Sequence, residues 1–179
     1  MRIFSIHGYN GSAHNSAYNA LTDCGYDVYA PQIDYNAKSP REILYWLFEE
    51  YAKSECNAVV GTSVGGYFAA LFCAVSGCHT LLINPCLMPF VVLPGLGYTN
   101  ADGILEFSHM FSTLAKLYNN RVSTIIGLDD EIIKEHTYTK ILLGNERYYE
   151  IKGGKHSGAT LPLREIIKQH GEEIFGEEE

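Results

Sequence analysis

Ser63 stands in the run Gly61, Thr62, Ser63, Val64, Gly65, Gly66, preceded by Asn57, Ala58, Val59, Val60 and followed by Tyr67, Phe68, Ala69, Ala70. An apolar strand, a sharp turn and a helix are the context that holds a serine hydroxyl above a sheet edge, with the next amide at a helix N-terminus. Gly61 and Gly65 flank the serine where any side chain would collide with the neighbouring turn, while Gly66, Ala69 and Ala70 let the helix lie close to the sheet. Ser63 is therefore the candidate nucleophile. A serine hydroxyl attacks poorly at neutral pH, so this chemistry demands a base to take its proton and an acid to fix the tautomer of that base.

The later chain supplies both. A β-like run at 121–126 leads into Gly127, Leu128, Asp129, Asp130 and Glu131, a strand end followed by three adjacent carboxylates. Asp130 is preferred as the acid, because it follows the glycine turn and precedes the apolar pair Ile132 and Ile133, which would pin the next helix to the sheet. Asp129 remains open as the second choice, and Glu131 is read as a helix-start carboxylate acting on the macrodipole. After 147–151 comes Lys152, Gly153, Gly154, Lys155, His156, Ser157, Gly158, where glycines permit the bend that returns His156 over the serine as general base. No other histidine has that setting: His14 and His170 read as exposed, His79 starts a strand, and His109 and His136 fall in expected helices.

Acyl transfer also needs two amides aimed at the developing oxyanion. Val64 supplies one, directly after the serine. The turn His7, Gly8, Tyr9, Asn10, Gly11 at the end of the first strand should supply the other through the Tyr9 amide, with His7 shaping the turn.

These groups need a scaffold that brings strand ends together. Short β-like runs at 2–6, 27–30, 57–61, 79–83, 121–126 and 147–151 alternate with helical patterns at 16–24, 40–53, 64–75, 105–118, 131–139 and 161–175. That alternation predicts an α/β fold, a six-stranded parallel sheet with helices on both faces, in a single domain over 1–179. Ser39 and Pro40 read as the N-cap and first turn of a helix. The long connection 85–103, rich in apolar residues, is expected either to line a substrate pocket through Leu87, Met88 and Phe90 or to fold back into the core. Gly176 and the three following glutamates read as a solvated tail.

Composition narrows the function classes. The 179 residues are 46% hydrophobic and 19% charged, ordinary values for a globular domain with a real core. Thirteen basic against 21 acidic residues give a net charge of -8 with no basic stripe, which argues against nucleic acid as a partner. No signal-like or membrane-length apolar run is present, so the chain reads as soluble and cytoplasmic. Five cysteines without a CxxC pair argue against a disulfide framework or zinc site and read as reduced, mostly buried thiols. No HxH, HExxH or DxD spacing completes a metal shell around Asp129, Asp130 and His156, so neither metal nor cofactor is expected.

Taken together, the runs IHGYNGS from Ile6, VVGTSVGGYFA from Val59, LLINPCLMP from Leu81, GLDDEII from Gly127 and IKGGKHSG from Ile151 resemble the α/β-hydrolase superfamily, and more closely its small YqiA-like esterases. The resemblance implies a compact α/β-hydrolase fold without a large lid domain. It also implies Ser63 as nucleophile, Asp130 rather than Asp129 as acid, His156 as base, the Tyr9 and Val64 amides at the oxyanion, and hydrolysis of small-molecule carboxylic esters or thioesters without a cofactor. Alternatives of other kinds are an acyl thioesterase or depalmitoylase-like enzyme and a catalytically silent binding module on the same fold. The loop residues Cys86 to Val91 depart from the polar or basic loop of that family, so substrate preference does not carry over.

Overall fold

The computed structural model describes residues 1–143 and 147–176; the last three glutamates of the expected tail lie outside the described residues. Six strands, β1 (Arg2–Ile6), β2 (Asp27–Tyr29), β3 (Ala58–Thr62), β4 (His79–Ile83), β5 (Val122–Gly127) and β6 (Tyr148–Ile151), form one parallel sheet in the order β2-β1-β3-β4-β5-β6. Each falls within a residue or two of its expected run. The sheet reverses direction of growth between β1 and β3, with Ile6 beside Gly61 in register. In open parallel sheets this switch point leaves a crevice at the carboxyl ends of the strands, and Ser63 and the turn after β1 both sit there.

Strand alternation divides the core in two. Phe4, Ile6, Val59 and Leu82 face α2 (Pro40–Ser54), α3 (Val64–Ser76) and α5 (Ala101–Phe111), whereas Ile3, Ala58, Val60, Leu81, Ile83 and Ile125 face α1 (Ser16–Asp23) and α7 (Leu163–Phe175). Helix α3 is buried from Val64 through Ala74, because sheet covers one side and α5 and the turn Ser112–Lys116 cover the other; Tyr67 donates to the Phe107 carbonyl at 2.7 Å. Full burial of Phe68 and Phe72 contributes about 1.5–3 kcal/mol each. Helix α2 begins as its sequence dictates: Ser39 accepts from the Glu42 amide while the Glu42 carboxylate accepts from the Ser39 amide, a capping box ahead of Pro40.

Two helical expectations are corrected. Helix α5 begins at Ala101, not at 105, because the Asn100 side chain caps it through the Gly103 amide, and it passes into a 3-10 turn after Phe111. The helix expected over 131–139 does not form. Asp130 Oδ1 captures the amides of Ile132 and Ile133, and Lys134 adopts φ 60°, which ends any right-handed helix, so α6 spans Thr137–Leu143.

The connection after β4 folds into α4 (Pro89–Val92) and a 3-10 turn, Leu93–Leu96. Of the five cysteines, all free thiols, Cys73 and Cys86 are buried and the other three are half-buried, fewer buried than expected. No helix among the described residues is long and apolar enough to cross a membrane.

Candidate active site

Ser63 lies between β3 and α3 with φ 53° and ψ −122°, a conformation costly for any residue with a Cβ. Tertiary packing holds it there. The Ser63 amide donates to the Ile83 carbonyl at 3.1 Å, and its carbonyl accepts from Gly66 and Cys86 at 2.9 Å each. A Cβ on Gly61 would fall 2.6 Å from the Ala69 Cβ, and one on Gly65 would fall 2.6 Å from the His7 carbonyl oxygen and closer still to that of Ile6. The two glycines therefore let strand, turn and β1 pack backbone against backbone. Helix α3 carries no side-chain cap, leaving the hydroxyl of Ser63 for other partners.

His156 reaches that hydroxyl: its Nε2 lies 3.0 Å from Ser63 Oγ, while its Nδ1 lies 3.0 and 2.9 Å from the two oxygens of Asp130. An ionised carboxylate can only accept, so Nδ1 carries the ring proton and Nε2 is free to accept from the serine. Asp130 is 1% exposed at its side chain, against 18% for His156. Burial alone would raise the Asp130 pKa, but donation from His136, His156 and the Ile133 amide outweighs it and holds the carboxyl well below the usual range. Asp129, the second choice for this place, is exposed, and its amide joins the Gly154 carbonyl at 2.8 Å.

The loop bearing His156 is fixed from several sides. Gly154 packs so closely on Gly127 that a Cβ on either would strike the other backbone. Asn84, after β4 with φ 42°, donates through Nδ2 to the carbonyls of Lys155 (2.8 Å) and His156 (3.0 Å), and its Oδ1 accepts from the Gly127 amide (2.7 Å). Glu131 accepts the His156 amide at 3.2 Å instead of starting a helix. Asn84 belongs to a run noted in the sequence, yet only its place between three strand ends reveals this task.

On the other side, a Cβ on Gly8 would fall 2.8 Å from Ser63 Cβ, so the turn after β1 lies directly against the serine. His7 shapes it: Nδ1 donates to the Gly8 carbonyl and Nε2 accepts from the Ile33 amide, both at 2.8 Å, and burial lowers its pKa so the ring stays neutral. The amides of Tyr9 and Val64 donate to no acceptor among the described residues; that of Val64 opens α3, where no intrahelical acceptor exists. Tyr9, Thr62, Ser63, Ile83 and His156 share a cavity of about 200 Å³ with Gly8, Asn15 and Ser157.

The expected substrate contacts Leu87, Met88 and Phe90 are not brought to that cavity. Leu87 is 3% exposed within the core, Met88 precedes α4, and Phe90 packs edge-on against Phe111 at 5.4 Å. So apolar a segment gains more by folding onto the sheet than by staying open to water. Burial, and then the charge of Asp130, push the nearby Cys86 thiol up to about 12, so it stays protonated at neutral pH.

His136 is the residue the sequence reading missed. Assigned to a helix, it instead lies before α6 with its Nε2 3.1 Å from Asp130 Oδ2 and its side chain 7% exposed. Only the failure of the 131–139 helix brings it there, and no local spacing announces that.

Comparison with known proteins agrees with this architecture. No curated protein matches the chain significantly. Among solved structures, an α/β hydrolase enzyme from the metagenome of Mar Chica lagoon sediments in Morocco is 16% identical with a TM-score of 0.65, covering 96% of this chain and 89% of that one. A monoacylglycerol lipase from Paleococcus ferrophilus is 15% identical at TM-score 0.65, covering 94% and 91%. An esterase from Pyrococcus furiosus is 14% identical at TM-score 0.62, covering 98% and 82%. At these identities the likeness is one of fold. The model of the family described as "Uncharacterised protein family (UPF0227)" matches residues 2–113, and the chain belongs to that family, with a fold like that of these α/β-hydrolase structures.

Proposed function

We propose that the protein is a serine hydrolase of carboxylic esters or thioesters, working through a Ser63, His156, Asp130 triad. The observation that carries this reading is the continuous relay from Asp130 through both ring nitrogens of His156 to Ser63 Oγ, at 2.9 and 3.0 Å, on a serine held at φ 53°. Its solved relatives in fold include proteins described as a lipase and an esterase, which is in keeping with it.

In this mechanism His156 Nε2 takes the Ser63 proton as Oγ attacks the substrate carbonyl carbon. The Tyr9 and Val64 amides stabilise the oxyanion, each being worth about 3 kcal/mol in the transition state. The tetrahedral intermediate then collapses: the bond to the alcohol or thiol breaks, His156 returns the proton to that leaving group, and an acyl-Ser63 ester remains. Water, deprotonated by His156, attacks this ester and releases the acid, restoring the serine. Asp130 stays ionised throughout and stabilises the imidazolium of each step. Small-molecule acyl substrates are the class this site serves; matched acyl esters and thioesters assayed side by side will rank the two leaving groups.

Purified Ser63→Ala is expected to keep its fold and lose hydrolysis of short p-nitrophenyl esters by about 10³-fold or more. Turnover near that of the unaltered protein would remove Ser63 from the mechanism.

A further inference from the structure

Asp130 accepts from more groups than a triad needs. Its Oδ1 takes the amides of Ile132 and Ile133, both at 2.9 Å, and shares the His156 Nδ1 proton with Oδ2. Oδ2 has one further donor, His136 Nε2 at 3.1 Å. A carboxylate offers about four lone-pair sites, and these four donors fill them. Their distribution matters: two fixed amides anchor Oδ1, but without His136 the oxygen closest to His156 would be held only by the ring it is meant to orient.

His136 can serve as that anchor because it is itself held. Its side chain is 7% exposed, its Nδ1 lies 3.4 Å from the hydroxyl of the buried Thr139, and its carbonyl accepts the Lys140 amide at 2.8 Å. With Asp130 ionised, Nε2 must carry a proton, and Nδ1 is placed to accept from Thr139. The titratable groups set around the carboxylate are His136, His156, Glu131 and Cys86, and of these only the two histidines donate to it.

We infer that His136 is a positioning residue for the reaction: its Nε2–H fixes Asp130 Oδ2 so that the acid, and through it His156, keeps its orientation across the proton transfers. The inference rests on the serine-hydrolase reading above. It extends the relay by two residues, Thr139 to His136 to Asp130 to His156 to Ser63. A further consequence is electrostatic. The His136 donor draws charge from the carboxylate, so removing it leaves more charge facing the imidazolium of His156, and the acid limb of kcat/KM moves to higher pH.

The test compares three proteins. His136→Leu removes the donor, and His136→Gln retains an N–H at similar reach. Hydrogen bonds to charged groups correspond to roughly ten- to hundred-fold in an equilibrium, so the leucine variant is expected to lose about tenfold in kcat on a short p-nitrophenyl ester. Its KM should stay within about twofold and its acid limb should move to higher pH. The glutamine variant should recover most of the loss. Unchanged kcat and an unmoved acid limb in folded His136→Leu, or a glutamine variant as impaired as the leucine one, overturns the inference.

A second measurement needs neither variant nor turnover. Long-range proton–nitrogen correlation of the imidazole rings in the unaltered protein should show His136 protonated at Nε2, and an unprotonated Nε2 overturns the inference. Loss of the nucleophile assignment through an active Ser63→Ala would leave this ring-nitrogen result standing or falling by itself.

Discussion

The two halves of the site are held in different ways. The serine half, Gly61 to Gly66 against the turn after β1, is fixed by backbone packed on backbone at the switch point of the sheet. The acid and base half, spanning Asp130 to His136 and Gly153 to His156, is fixed by side-chain hydrogen bonds from Asn84, Glu131 and His136 across three strand ends. The first kind of constraint is steric; the second is largely polar, with the close approach of Gly127 and Gly154 added to it, and both join residues far apart in sequence. The placement of Ser63 therefore depends on the absence of side chains, and that of His156 on particular side chains as well as on the bare contact of Gly127 with Gly154.

Substitutions can break each half separately. The largest effect is expected from Gly65→Ala, whose methyl would enter the space of the Ile6 and His7 carbonyl oxygens. Backbone cannot yield there as a side chain would, so a loss of about 3 kcal/mol or more is expected in urea unfolding. A loss under about 0.5 kcal/mol would show the elbow to be looser than described. Next comes Asn84→Ala, which orphans the buried Gly127 amide and releases the His156 loop: about 2–3 kcal/mol of stability, together with lowered turnover, set against an unchanged rate of unfolding only if that loop carries no constraint.

The smallest effect separates the halves by pH. His7 beside the serine is buried neutral with a lowered pKa, and the half-buried His79 at the start of β4 has its pKa lowered by desolvation too, so their contribution is complete above about pH 6.5 and declines as pH falls through that value toward their folded ones. Asp130 has a depressed pKa, so its contribution is complete above about pH 4 and is lost as pH falls toward its folded value. Unfolding free energy should thus decline in two windows, the upper one shallower in His7→Gln. A single transition below pH 4, identical in both proteins, would deny the buried neutral His7.

The same contrast explains what could be read from the residues alone. Six strands and the elbow were visible because glycine positions and apolar periodicity are local signals; Ser39 and Pro40 likewise announce the start of α2. His156 stood out by its place in a glycine loop after a strand end, while position alone preferred Asp130 but left Asp129 open until the family resemblance favoured Asp130; the structure brings Asp130 and His156 into contact. The helix expected over 131–139 failed because its periodicity was apolar enough but the Asp130 side chain competes for its first amides. His136 was missed as a consequence. For Leu87, Met88 and Phe90 the sequence leaves two outcomes open, a pocket lining or a return to the core, because hydrophobicity does not state which surface a loop will cover; here Leu87 lies in the core and Phe90 packs against it.

The account turns on whether Ser63 is activated by His156. Reaction with a fluorophosphonate probe, followed by peptide mass spectrometry, measures this without knowledge of the natural substrate. Covalent label on Ser63, falling by about 10³-fold or more in rate in His156→Ala, is the predicted result. An unlabelled Ser63 in the folded protein, or labelling that proceeds equally fast without His156, would contradict it.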